Sequence, residues 1–308
     1  MYSIGIDIGG TTVKFGIFAP SGKLIKKWAI NTVTKDSGKY IFGDIASSLK
    51  NILHNQNISI LDIDGIGVGV PGPVLNETTV NGCVNLGWGV LDIASKLREL
   101  TKITNIKAVN DANAAALGEM WQGAAKGKKN VVMVTLGTGV GSGVVIDGKI
   151  VAGAFGAGGE IGHIKVADKR PCNCGKCGCL EQYASATGIV RSAKEMLDAT
   201  DEESSLRLID NITCRSVFDC AKQQDALSLK IIKEATSKLA YALSCVSCVV
   251  DPEVFIIGGG VSNAGNILLD YIQKAFCKNA FFASRNVPFT LATLGGDAGI
   301  YGAAKLVL

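Results

Sequence analysis

The first thirty residues alternate apolar and polar side chains in the two-residue period of strands. Ser3-Ile-Gly-Ile-Asp-Ile8 predicts one strand, a glycine turn follows, and Val13-Lys-Phe-Gly-Ile-Phe18 predicts a second. Pro20-Ser-Gly22 marks another turn before a third strand over 24–30. The period then changes: Ile41, Ile45, Leu49, Ile52 and Leu53 recur at helical spacing within 40–54. Short buried strands are predicted over 64–70 and 106–109, with a helix over 91–100 between them. The Ala-rich stretch 112–121 predicts a helix on propensity. Asn130–Leu136 and 141–146 then repeat the opening pattern of strand, Gly-Thr turn and strand, as a duplicated α/β unit would, one per domain. Residues 182–246 read as mostly helical, Glu253–Ile257 as a buried strand, and Asp297–Leu306 as a final helix.

Composition narrows the class. Of 308 residues, 47% are hydrophobic and 19% charged, which suits a large buried core and excludes intrinsic disorder. The net charge of +4 is spread thinly, and its densest cluster, Lys126-Gly-Lys128-Lys129, reads as a solvated turn. No nucleic-acid partner is expected. The apolar run 245–257 is broken by Asp251-Pro252 and falls short of the roughly 20 residues a membrane span needs. The start shows no basic leader or cleavage site, so a cytoplasmic protein without a membrane partner is expected. Ten cysteines in a reducing compartment are thiols or metal ligands, and four of them crowd into 172–179.

Five segments carry chemistry. Asp7-Ile-Gly-Gly-Thr-Thr-Val-Lys14 lies between two strands. Gly9 and Gly10 let a backbone approach a phosphate, Thr11, Thr12 and turn N–H groups supply donors, and Lys14 adds charge. Asp7 would repel a phosphate unless Mg²⁺ bridges them. Gly-Gly alone is an ordinary hairpin signal; the surrounding Asp, Thr and Lys favour phosphate. Gly137-Thr138-Gly139 forms a second such loop, and the two together suggest a nucleotide cleft. Gly258-Gly259-Gly260, after a buried strand, offers either a flat face for an adenine or a close packing turn. Asp111 follows a strand and opens a helix, so it reads either as an N-cap or as a carboxylate poised to take a proton from a hydroxyl. Finally His163 precedes Cys172, Cys174, Cys177 and Cys179; one His with three or four Cys at short spacing matches a structural tetrahedral zinc. Such an ion would orient the flanking Glu160 and Glu181. His54, in the predicted helix 40–54, is expected on the surface, and Met120-Trp121 and Phe281-Phe282 in core or interface packing.

Taken together these segments resemble the ROK family (repressors, open reading frames and kinases), and within it the bacterial ATP-dependent glucokinases. The likeness runs through Asp7–Lys14, Gly69-Val-Pro-Gly-Pro73, Asn85-Leu-Gly-Trp88 and Asn110–Trp121. It continues through Thr135–Gly141, Gly159–Ile164 and Cys172–Glu181, and so covers essentially the whole chain. The resemblance implies an actin/hexokinase-like fold, two α/β domains with ribonuclease-H-like cores around a central cleft. It implies a small domain over 1–110, completed by the C-terminal helix 297–308, and a large domain over 111–296 that carries the zinc loop.

The implied activity is transfer of the γ-phosphoryl group of ATP, with Mg²⁺, to the 6-hydroxyl of glucose. By the same resemblance Asp111 is the general base; Asn110, Glu160, His163 and Glu181 hold sugar hydroxyls; Gly72 and Asn85 line the same pocket. The implied zinc ligands are His163, Cys172, Cys174 and Cys179, with Cys177 a competing thiol at a variable place. The segment from Ile164 to Cys172 is shorter than in comparable glucokinases. A homodimer or homotetramer is implied, and no DNA-binding domain is expected ahead of the first strand. The alternatives are a kinase for another hexose (N-acetylmannosamine, N-acetylglucosamine, allose or fructose) and a non-catalytic sugar-binding regulator. A zinc-knuckle nucleic-acid protein is disfavoured, because only Lys165, Lys169, Arg170, Lys176 and Tyr183 would serve it.

Overall fold

In the computed structural model, which describes residues 1–308, the predicted opening strands form as β1 (Tyr2–Ile8), β2 (Thr12–Phe18) and β3 (Leu24–Asn31). They join β4 (Ile63–Val70) and β8 (Ile106–Asn110) in a five-stranded sheet of order β3-β2-β1-β4-β8. The hairpin strands pair antiparallel, and β4 and β8 add parallel to β1. A small antiparallel sheet, β5 (Val74–Leu75), β6 (Thr79–Cys83) and β7 (Trp88–Asp92), follows β4. A second five-stranded sheet contains β9 (Val131–Leu136), β10 (Val140–Ile146), β11 (Lys149–Ile150), β12 (Val254–Gly258) and β13 (Phe289–Leu291). Its order is β11-β10-β9-β12-β13, so both sheets run third-second-first-fourth-fifth along the chain. That repeated order is the duplication expected from the two Gly-Thr hairpins, and it gives each sheet the ribonuclease-H-like topology.

Contacts divide the chain into two units, one of 1–129, 143–159 and 293–308, the other of 130–142 and 160–292. In the first, α1 (Ile41–Asn55) buries Ile41, Ile45 and Leu49 with Ile4, Ile6 and Phe15 of the sheet in one core. Helix α2 (Ile93–Thr101) starts two residues later than its apolar pattern predicts. Leu91 and Asp92 belong to β7, and the Asp92 side chain caps the helix by accepting the Ser95 N–H at 2.9 Å. Helix α3 (Asp111–Gln122) follows β8 directly. The second unit holds α4 (Ala186–Ala199), α5 (Cys214–Lys222), α6 (Ala226–Val250) and α7 (Asn266–Asn279). Helix α8 (Ala298–Lys305) returns to the first unit and packs on α3, β1 and β4. None of these helices is long and apolar enough to cross a membrane.

Candidate active site

In the first unit the predicted phosphate hairpin is a tight, cross-braced turn. Gly9 N–H donates to Thr12 O at 3.0 Å, and Thr32 ties the loop from outside with its hydroxyl on Gly9 O at 2.7 Å and its N–H on Thr11 O at 2.9 Å. Gly10 and Thr11 stand at the exposed tip. Asp7 pairs across the hairpin with Lys14. Burial first, and the negative charge of Asp111 second, push the Asp7 carboxyl up to about 6, against the pull of Lys14. Two carboxylates in one unit whose repulsion is felt at this level form a donor set that suits a divalent cation. Lys14 Nζ donates to Gly296 O at 2.6 Å.

The ends of β4 and β8 meet through Asn110, whose Nδ2 donates to Gly72 O at 3.3 Å. Asn110, in extended conformation, is also the N-cap of α3: its Oδ1 accepts the N–H groups of Ala112 at 2.9 Å and Asn113 at 3.3 Å. The cap reading of Asp111 is therefore corrected by one position. Asn110 takes that duty, and Asp111 is the first helical residue, with Oδ1 on the Ala112 N–H at 2.8 Å. Asn85 is exposed in a turn over Val84–Leu86, beside the buried Cys83, whose thiol donates to Pro71 O at 3.1 Å.

In the second unit the Gly137-Thr138-Gly139 turn closes by a Gly137 N–H bond to Gly139 O at 3.0 Å. The start of α4 holds it, through Ala186 N–H on Gly137 O at 2.8 Å and the Thr187 hydroxyl on Thr138 O at 2.6 Å. Gly258 ends β12, and Gly259 lies in the left-handed region at φ 80° against β9, where a Cβ would stand 2.5 Å from Leu136 O. Beyond it opens a cavity of about 550 Å³, lined by Ala186, Gly260, Val261 and Asn263 and walled by Cys214 and Phe218 of α5. The α5 wall was invisible to motif reading. Its only sequence signal is the capping box Thr213–Ser216, which fixes where the helix begins. Burial pushes the Cys214 thiol up to about 12, so it is an inert wall.

The knuckle brings together the four expected ligands: donor atoms of His163, Cys172, Cys174 and Cys179 all lie within 4.8 Å of one another. His163 Nδ1 stands 3.7 Å from Cys172 Sγ, and Cys174 Sγ 3.5 Å from Cys179 Sγ, separations that fit a tetrahedral ion with one nitrogen and three sulfur donors. Cys177 is exposed and outside that group. Burial and the contact with Glu181 push Cys172 up to about 12, whereas the Lys176 N–H holds Cys174 below the usual thiol range. Cys172 Sγ donates to Glu181 Oε1 at 2.9 Å. The other imidazole nitrogen, Nε2, faces Glu160 Oε2 at 3.9 Å, and a Cβ at Gly139 would be 3.1 Å from Glu181 Oε2. Glu160, His163, Glu181 and the second glycine turn thus share one neighbourhood. The short limb before Cys172 is anchored by the buried Arg170, which donates to Gln182 O at 2.7 Å and Ser192 Oγ at 2.9 Å and stacks 4.3 Å from the Tyr183 ring centre.

The family model described as "ROK family" matches residues 3–308. A glucokinase from Halalkalibacterium halodurans is 42% identical, over 99% of this chain and 94% of its own. Among solved structures, a ROK family glucokinase from Streptomyces griseus in complex with glucose and AMPPNP is 33% identical with a TM-score of 0.75, over 99% of both chains. A ROK hexokinase from Thermus thermophilus is 29% identical with a TM-score of 0.83, over 99% of this chain and 97% of its own. On a match of this extent, with paired sheets of one topology and the His-Cys knuckle in place, the chain belongs to the ROK family.

Proposed function

We propose that the protein is a glucokinase, transferring the γ-phosphoryl group of ATP to the 6-hydroxyl of glucose. The observation that carries this reading is Asp111 at the head of α3, its Oδ1 held by the Ala112 N–H, in a chain whose full-length relatives include a glucokinase at 42% identity. Asp111 accepts the 6-hydroxyl proton as the oxygen attacks the γ-phosphorus, and ADP leaves. Asn110, Glu160, His163 and Glu181 hold the remaining hydroxyls, and Gly72 and Asn85 complete the pocket wall. The pairing of His163 Nδ1 with the thiols leaves Nε2 for a hydroxyl, which supports its double duty.

The two Gly-Thr turns offer backbone N–H groups and hydroxyls to the triphosphate. The 550 Å³ cavity beside Gly260 suits the purine, since it is contiguous through Ala186 with the turn at Gly137. Mg²⁺, when bound near Asp7, neutralises phosphate charge. Zn²⁺, when bound by the knuckle, folds the loop that presents Glu181. The protein acts as a homodimer or homotetramer in the cytoplasm.

The test is an ADP-coupled assay with Mg²⁺ across glucose, mannose, fructose, allose, N-acetylglucosamine and N-acetylmannosamine. The expected result is a kcat/KM for glucose well above the rest. A preference for an N-acetylated sugar overturns the substrate assignment while keeping the kinase, and silence on every sugar overturns the kinase.

A further inference from the structure

Glu119 on α3 has no solvent exposure. Its carboxylate is saturated by four neutral donors: Oε1 accepts the N–H groups of Thr293 at 2.9 Å and Leu294 at 2.7 Å, and Oε2 accepts the Ala124 N–H at 2.8 Å and the Thr293 hydroxyl at 3.2 Å. All four bonds run into the carboxylate, the pattern of a charge-assisted acceptor. Gly123 leaves room for it, since a Cβ there would collide with Oε2. Its main partner, Thr293, is the residue at which the chain re-enters the first unit after 160–292.

From that grip the segment leads directly to the phosphate hairpin. Gly296 O accepts Lys14 Nζ at 2.6 Å, Asp297 takes Lys27 Nζ at 2.6 Å, and a Cβ on Gly299 would stand 2.7 Å from Asp7 Oδ2. One end of α3 thus holds the segment that backs Asp7 and Lys14, and the other end begins with Asp111. We propose that Glu119 is a positioning residue for phosphoryl transfer: by clamping Thr293 and Leu294 to α3 it sets Asp7 and Lys14 relative to Asp111. This rests on the kinase reading above. Glu119 touches no reacting atom, and sugar binding does not depend on it.

The experiment uses Glu119→Gln, which keeps the shape but turns an amide NH₂ toward donors, and Thr293→Val, which removes only the hydroxyl bond. Assays run at a temperature where circular dichroism shows both variants folded. For Glu119→Gln, kcat falls about tenfold or more and KM for ATP rises, while the glucose Kd stays within about twofold of wild type. Thr293→Val moves the same constants in the same direction by less, and decides alone if the glutamine variant does not fold. Hydrogen exchange gives a readout apart from activity: the Thr293 and Leu294 amides are protected in wild type and lose protection in Glu119→Gln. A variant with a lowered Tm but unchanged kcat and KM per folded molecule overturns the proposal, as do wild-type amides exchanging at exposed-loop rates. A wild type inactive on every hexose overturns the kinase reading instead, so the two failures are distinguishable.

Discussion

Asp7 shows at the residue scale how the site strains against stability. Its carboxyl lies near 6 because burial and the Asp111 charge both disfavour ionisation. Between pH 4 and 6 the folded chain therefore holds a proton that the unfolded chain has released. Stability falls as pH rises through that window and stays low above it. Asp7→Asn removes the charge at issue. In protein free of nucleotide and divalent metal, the variant should gain about 1–2 kcal/mol at pH 8, after allowance for partial exposure, and the gain should vanish toward pH 4. Thermal melts across pH 4–8 check this, and a variant less stable than wild type at pH 8 contradicts it. Asp111→Asn separates chemistry from binding. Its kcat should fall by about a hundredfold or more with glucose affinity largely intact, because the amide preserves the hydrogen bond to Ala112 but accepts no proton. Near-normal turnover in steady-state assays would remove Asp111 from the role of base.

The knuckle is the element whose behaviour tests the metal. One zinc per chain should appear by elemental analysis, and chelation should open 163–181 to proteolysis and weaken glucose binding, since Cys172 and Glu181 are in direct contact. Cys179→Ser should lower zinc affinity by more than about tenfold, whereas Cys177→Ser, outside the cluster, should leave it unchanged. Equal loss in both variants would mean that the thiols exchange roles. The knuckle itself was legible in sequence, because one His and four Cys crowd into seventeen residues, whereas the choice of Cys172, Cys174 and Cys179 over Cys177 came from the family resemblance. The long strands and helices were legible for a similar reason: Ile4, Ile6 and Ile8, or Ile41, Ile45 and Leu49, repeat at one period over enough residues. What escaped was short or set by tertiary contact. Strands β5, β11 and β13 run for two or three residues, too few for a period, and β7 takes the two residues with which the apolar pattern begins α2. Two polar residues in a row hid which of Asn110 and Asp111 caps α3. Glu119 lies inside the Asn110–Trp121 stretch that carries the family likeness, but no local pattern announces its bonds to Thr293 and Leu294, because those partners stand 174 and 175 residues further along the chain.

At the scale of the whole molecule the first unit is assembled from three stretches of chain, and the last of them, 293–308, is part of its core. Helix α8 lies so close that a Cβ on Gly5 or Gly67 would strike the α8 backbone at Ile300 or Ala303, and one on Gly118 would strike Ala298. Across the same contact, a Cβ on Gly302 would strike the Ala114 carbonyl of α3. Backbone-to-backbone packing of this kind cannot be relieved by a rotamer change, so Gly302→Ala should cost about 1–3 kcal/mol, read as a lowered Tm. Deleting the stretch is a larger change. A chain ending at Ala292 exposes the sheet face that α8 covers and takes both the Thr293 and Leu294 donors from the fully buried Glu119 carboxylate. It should fail to give folded protein, with circular dichroism lacking native signal and gel filtration showing aggregate. Supplying 293–308 afterwards as a peptide should restore little, because the entropy of docking a free segment is no longer offset by covalent connection. Recovery of a folded, glucose-binding chain without these residues would show that the first unit closes without its C-terminal helix, and would remove the path by which Glu119 reaches Asp7.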